Sequence, residues 1–236
     1  MAKIQLNERA SYPGIRQRIV TLLLITLFSG WMVWVAYSDD SIKEQATPIM
    51  LTGLVIGMLF GIITSVKKRW AYYTTISFAF FEGIFCGSYS YFLDVKYPGI
   101  ALQAIGIVFT LMLLMLWKFL RGSLKMTSAF KKYVGYGATL IFLTYLTSML
   151  LGFYGVTVPL IMDPGFWGIA FSLMVISIVP LTYIIVFDLI RQSHDLVVSK
   201  FMEWYCAFAF MISSIWLFIE SLHLLEKLRD KGQGIF

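Results

Sequence analysis

The chain has 236 residues, 59% of them hydrophobic and 14% charged, with a formal charge of +6 and a mean hydropathy of +0.79. So much apolar side chain excludes an ordinary water-soluble domain and counts the chain in membrane spans instead. The basic residues sit in short segments between apolar runs, which marks membrane orientation and excludes a nucleic-acid partner as the reason for the charge.

Residues 1–17 are polar and basic, with Lys3, Arg9, Arg16 and, just beyond, Arg18 against a single Glu8, and read as a mobile cytoplasmic arm with a turn at Tyr12-Pro13-Gly14. The first apolar run, about Ile19–Tyr37, is long and has no small-x-small cleavage pattern, so it is expected to stay as a span. A net acidic loop with Asp39, Asp40, Lys43 and Glu44 follows. Span two, about Pro48–Val66, carries Gly53, Gly57 and Gly61 at four-residue intervals. That repeat forms a small-residue face for close helix packing, with a pore lining as the other reading. After the basic turn Lys67-Lys68-Arg69 comes span three, about Trp70–Leu93. It holds Glu82 near its middle, followed by Gly83 and Gly87. Asp94, Lys96 and Pro98-Gly99 make a short, nearly neutral loop.

Span four is about Ile100–Leu120, and the loop after it is basic, with Lys118, Arg121, Lys125, Lys131 and Lys132. Span five is about Tyr133–Tyr154, and the Pro159–Gly165 region is a turn bearing Asp163. Span six, about Phe166–Ile190, contains Pro180, expected to kink it, and Asp188 close to its end. A loop over Arg191–Lys200 holds His194 and Asp195. Span seven, about Met202–Leu228, carries Glu203 at its start and Glu220 well inside, with His223, Glu226 and Lys227 expected at the interface. The reading is therefore an arm over 1–17, a seven-span domain over 18–228 and a tail over 229–236. The N-terminal arm and the basic loops fall on one side, which puts the N-terminus in the cytoplasm and the C-terminus outside.

The acids inside the spans demand an explanation, because a carboxylate in hydrocarbon costs about 2.5 kcal/mol or more unless it is paired, protonated or wetted. Asp188 can reach the interface or pair with Arg191. It can also sit at the floor of the helix bundle and face a second carboxylate, Glu203 by depth or Glu220 if span seven protrudes into the cytoplasm. Glu82 is either a hydrogen-bonded structural acid or a ligand for a proton or cation. Cys86 and Cys206 lie inside apolar runs without metal-ligand spacing and read as small core residues.

Several segments in order carry a resemblance. They are Phe80-Phe81-Glu82-Gly83-Ile84-Phe85-Cys86-Gly87, Tyr97-Pro98-Gly99-Ile100, Phe187-Asp188-Leu189-Ile190, Lys200-Phe201-Met202-Glu203-Trp204-Tyr205, and the stretch Trp216 to Leu225 with Ile219-Glu220-Ser221 inside it. Together they resemble the Bax-inhibitor/YccA family, and a bacterial branch of it most closely. The resemblance implies an all-α membrane protein, a seven-helix bundle with a central C-terminal helix, in a bacterial inner membrane. It also implies a pH-sensitive calcium leak, gated by a proton-sharing acid pair for which Asp188 and Glu220 are the matching positions. Here one member is Glu rather than Asp, and the spacing between the two is longer than the family's. Other members are associated with cell-death regulation or with restraining a membrane protease, which makes a non-conducting regulator the alternative.

Two close carboxylates in low dielectric cannot both ionise cheaply, so they share a proton, and losing it admits a hard cation that prefers oxygen ligands. Catalysis is not expected: no Gly-x-Gly-Asp setting appears, and neither His194 nor His223 is placed as a membrane base. No cofactor is expected, no metal site is assigned, and calcium or another cation would be cargo.

Overall fold

The computed structural model describes residues 10–233 apart from 38, 44, 122–126, 153, 156, 157, 159, 160, 162 and 196–198. Residues 1–9 of the expected arm, Glu44, Lys125, Pro159, Leu160 and Met162 of the Pro159–Gly165 turn, and the end of the tail lie outside the described residues. So do the side chains of Asp40, His194 and Asp195. The elements are α1 (Tyr12–Ala36), the single turn α2 (Asp40–Lys43), α3 (Ala46–Val66), a 3-10 turn (Lys68–Trp70), α4 (Ala71–Lys96), α5 (Ile100–Leu120), α6 (Ser128–Gly152), α7 (Phe166–Asp195) and α8 (Phe201–Gln233). The seven long ones, α1 and α3 to α8, are each long and apolar enough to cross a membrane. The protein is thus an all-α integral membrane protein.

Helices are the form that satisfies every backbone group without water. Hydroxyls inside the spans follow the same rule: Thr52, Thr64, Thr139, Thr144 and Ser177 each donate to the carbonyl one turn back. The outward faces carry Leu24, Leu27, Phe28 and Trp31 of α1, and Leu51, Val55, Leu59 and Ile62 of α3, all exposed. In a bilayer that surface meets acyl chains, so leaving it uncovered by protein has no cost.

Helix ends differ from the sequence expectation, each for a local reason. α1 begins at Tyr12, not near Ile19, because Ser11 is an extended N-cap whose hydroxyl accepts the Gly14 N–H and Pro13 sits in the first turn. Residues 12–17 are therefore helix rather than a mobile arm. α6 begins at Ser128 rather than Tyr133, with the Thr127 hydroxyl accepting the Phe130 N–H, and Tyr154 falls in a turn beyond its end. α7 runs through Pro180 and on to Asp195, so the first half of the expected Arg191–Lys200 loop is helical. α8 continues to Gln233, through most of the expected tail.

The chain divides into two compact units, and both α7 and α8 contribute to each. The first unit holds residues up to Val95 together with Asp188–Ile215. Its organising helix is α4. On one side Gly83 and Gly87 meet α1 so closely that a Cβ on Gly87 would lie 2.6 Å from Gly30 Cα, and one on Gly83 would lie 2.4 Å from the Thr26 carbonyl. Thr26 donates to the Ala79 carbonyl and the Trp34 indole N–H to that of Gly87. On the other side, a Cβ on Gly53 of α3 would lie 2.9 Å from the Phe81 carbonyl, and Gly61 faces the Phe78 ring. Phe78 and Tyr72 then meet Phe208 and Trp204 of α8 edge to face.

The second unit holds Lys96–Phe187 and Trp216 onward. The turn Tyr97-Pro98-Gly99 starts α5, with Gly99 at φ +83°, where a side chain would be strained. The last turns of α8 fasten to it. Asp230 accepts from Lys96 at 2.9 Å and from the Tyr97 hydroxyl, while Arg229 donates to the Pro98 carbonyl and to Gln103. The Asp230 carboxylate holds the Tyr97 hydroxyl above its ordinary range, so that phenol stays a donor.

Candidate functional site: carboxylates inside the spans

In the first unit, three acids have three kinds of surroundings. Glu203 is 1% exposed in the first turn of α8 and is held by contacts from α1, although its Oε2 has no hydrogen bond among the described residues. Its Oε1 accepts the Ser11 N–H and the Ser11 hydroxyl, each at 3.1 Å, and its Oε2 faces Arg18 Nε at 3.8 Å. Arg18 also lies over the Trp204 ring, 4.6 Å from its centroid. Gly14 is needed beside it, since a Cβ there would stand 2.0 Å from Glu203 Oε1. The carboxylate thus sits at the positive ends of α1 and α8 at once, which stabilises both. Asp188 accepts from Gln192 Nε2 at 2.5 Å, one turn further along α7.

Glu82 is buried in α4 against Gly57 of α3, whose absent Cβ would come within 2.9 Å of its Oε1. Among the described residues no hydrogen bond is made to the Glu82 carboxyl, and Cys86, one turn on, feels its charge. The glycines of α3 and α4 are therefore occupied within the unit, facing backbone, rings and this acid.

Glu220 lies in the second unit and is also 1% exposed. Its Oε2 accepts the Tyr145 hydroxyl of α6 at 2.5 Å. Its Oε1 is buried with no hydrogen-bond partner among the described residues. Positions 220, 223 and 227 share one face of α8 by helical spacing. His223 stacks on the Tyr145 ring. Lys227, expected at the interface, is instead 5% exposed, its ammonium donating to the Gly168 carbonyl at 3.1 Å and to Ser172 Oγ at 2.8 Å. Ser172 stands beside the Glu220 carboxyl as well, and Glu220 and Lys227 act on each other electrostatically. A chain of polar groups, Tyr145, Glu220, Ser172 and Lys227, thus ties three spans of the unit together.

Sequence reasoning named Glu220 but missed Tyr145, Ser172 and Lys227. The spacing from Glu220 to Lys227 was the available signal for the last; the first two have none, since their positions depend on how α6 and α7 turn. Ser11 and Arg18 were missed as partners of Glu203, since they lie 192 and 185 positions away in the chain. Among the described residues, no group of three His, Cys, Asp or Glu side chains could hold a metal ion.

The model of one protein family, Bax inhibitor 1 like, matches residues 2–230. No curated protein and no solved structure matches the chain. With nearly the whole chain inside the family match and seven apolar helices in the fold, this protein belongs to the Bax inhibitor 1 like family of membrane proteins.

Proposed function

We propose that the protein is a non-enzymatic leak for cations, calcium foremost, whose conductance follows proton occupancy of the carboxyls inside its spans. The observation that carries this is Glu220: a carboxyl sealed from solvent in a membrane helix, with one oxygen held by Tyr145 and the other unsatisfied. Glu203 also leaves its Oε2 without a hydrogen bond, but that oxygen faces the Arg18 guanidinium, whereas among the described residues Glu220 makes no such ion pair. An unfilled carboxyl oxygen either carries a proton or waits for a cation, and the exchange between those two states is the chemistry a pH-dependent leak needs. Glu82, without a donor among the described residues, is the second candidate for the same exchange, and Asp188 the third.

The basic arm and loops orient the chain with its N-terminus in the cytoplasm and its C-terminus outside, in a bacterial inner membrane. Calcium flux into proteoliposomes, measured between acidic and neutral pH, tests the reading. Glu220→Gln fixes the neutral form, so its leak should hold at the level that wild type shows at acidic pH. If Glu220→Gln, Glu82→Gln and Asp188→Asn all keep the wild-type pH profile, the reading is wrong.

A further inference from the structure

Lys227 is the group that the leak reading does not use. A lysine buried in a membrane helix is costly unless its charge is matched, and its three N–H donors all want acceptors. Its ammonium has two neutral oxygens, the Gly168 carbonyl and the Ser172 hydroxyl. The anions acting on it are Glu220, Glu226 and Asp163. Glu226 is already shared with Lys96, 3.7 Å away, at the end of the unit tied to the Tyr97 turn. Glu220 is the anion left with an unfilled oxygen.

A backbone carbonyl, a hydroxyl and a carboxylate are also the donor set that a hard cation takes. Gly168 is fixed independently of Lys227: a Cβ there would lie 1.9 Å from the Asp163 carbonyl, so this position in the first turn of α7 requires glycine. We infer that Lys227 is a tethered cation occupying a cation site built from the Gly168 carbonyl and Ser172 Oγ, with Glu220, on the same face of α8, as the counter-charge beside it. The lysine neutralises that site and keeps free cations out of it. This rests on the leak reading for its meaning in transport, but not for its test.

The test uses the full chain in detergent and calcium chloride as the probe, with choline chloride at equal ionic strength as control. Lys227→Met empties the site and leaves its oxygens. Calcium should then raise the Tm of Lys227→Met by roughly 5 °C or more near saturation. Wild type, Lys227→Arg and the double variant Lys227→Met/Glu220→Gln should not respond. Should Lys227→Met fail to fold, Lys227→Gln keeps a donor for Gly168 and replaces it. Folding that returns only with calcium supports the inference; failure of both variants to fold in either salt overturns it. A folded Lys227→Met with no calcium response overturns it too, and so does an equal response from wild type.

Flux separates the two proposals. A calcium-binding Lys227→Met in a protein that never leaks leaves the site standing and removes the leak. A leak that depends on Glu220 but is unchanged in Lys227→Met, with no calcium response, removes only the site.

Discussion

Glu203 and Glu220 are the same residue on the same helix, equally buried, yet their surroundings are opposite. Glu203 holds together the starts of two helices and has a cation opposite it. Glu220 has the Tyr145 hydroxyl on one oxygen and no hydrogen bond on the other, with Ser172 standing beside the carboxyl. Burial alone therefore does not mark a functional acid, and neither does an oxygen without a hydrogen bond, since each acid has one; what differs is the guanidinium opposite that oxygen in Glu203. An acid whose open oxygen faces a cation is tied to that cation, whereas one without an ion pair can change its contacts without dismantling its neighbours.

The comparison breaks first at Glu203. Glu203→Ala strands Arg18 and removes the acceptor of two Ser11 donors, and should cost about 3 kcal/mol, the lower end for a broken buried pair because Arg18 is partly exposed. Unfolding in a denaturing detergent titration would measure it. The surviving folded fraction should keep a wild-type pH profile of calcium leak; a flattened profile would make Glu203 a gating acid and erase the contrast. Glu220→Gln should do the reverse, costing about 1 kcal/mol or less while flattening the profile. Tyr145→Phe sharpens the point. It removes a single hydroxyl, so stability should fall by about 1 kcal/mol, while the midpoint of the pH profile should move more than in any variant outside this cluster.

The existence of seven spans was legible, because apolar runs of bilayer length need no tertiary information. Their ends were not. α1 extends to Tyr12 because of a cap at Ser11 that Glu203 supports, and that carboxylate lies 192 positions away. The glycine repeats of α3 and α4 were visible as faces, but what they face was not: Gly57 meets Glu82, and Gly87 meets Gly30 backbone. Lys227 was placed at the interface because lysines near helix ends usually reach for water. It is buried because α7 offers a carbonyl and a hydroxyl at the same depth, and the register of α7 against α8 cannot be read from either helix alone.

The smallest effect should come from Ser11. Ser11→Ala removes the hydroxyl that caps α1 and donates to Glu203, but leaves the backbone N–H bond to Oε1 and the Arg18 contact in place. An N-cap serine replaced by alanine costs about 1 kcal/mol, and the charge balance around Glu203 does not change. The start of α1 should fray, and amide exchange at Gly14 and Ile15 should speed up by roughly fivefold, a factor equivalent to that energy. The leak should be untouched at every pH. A change in its pH profile would mean that the N-terminal helix start is coupled to the conducting path. The sorting of Glu203 as a fastener and Glu220 as a switch would then fail at its weakest joint.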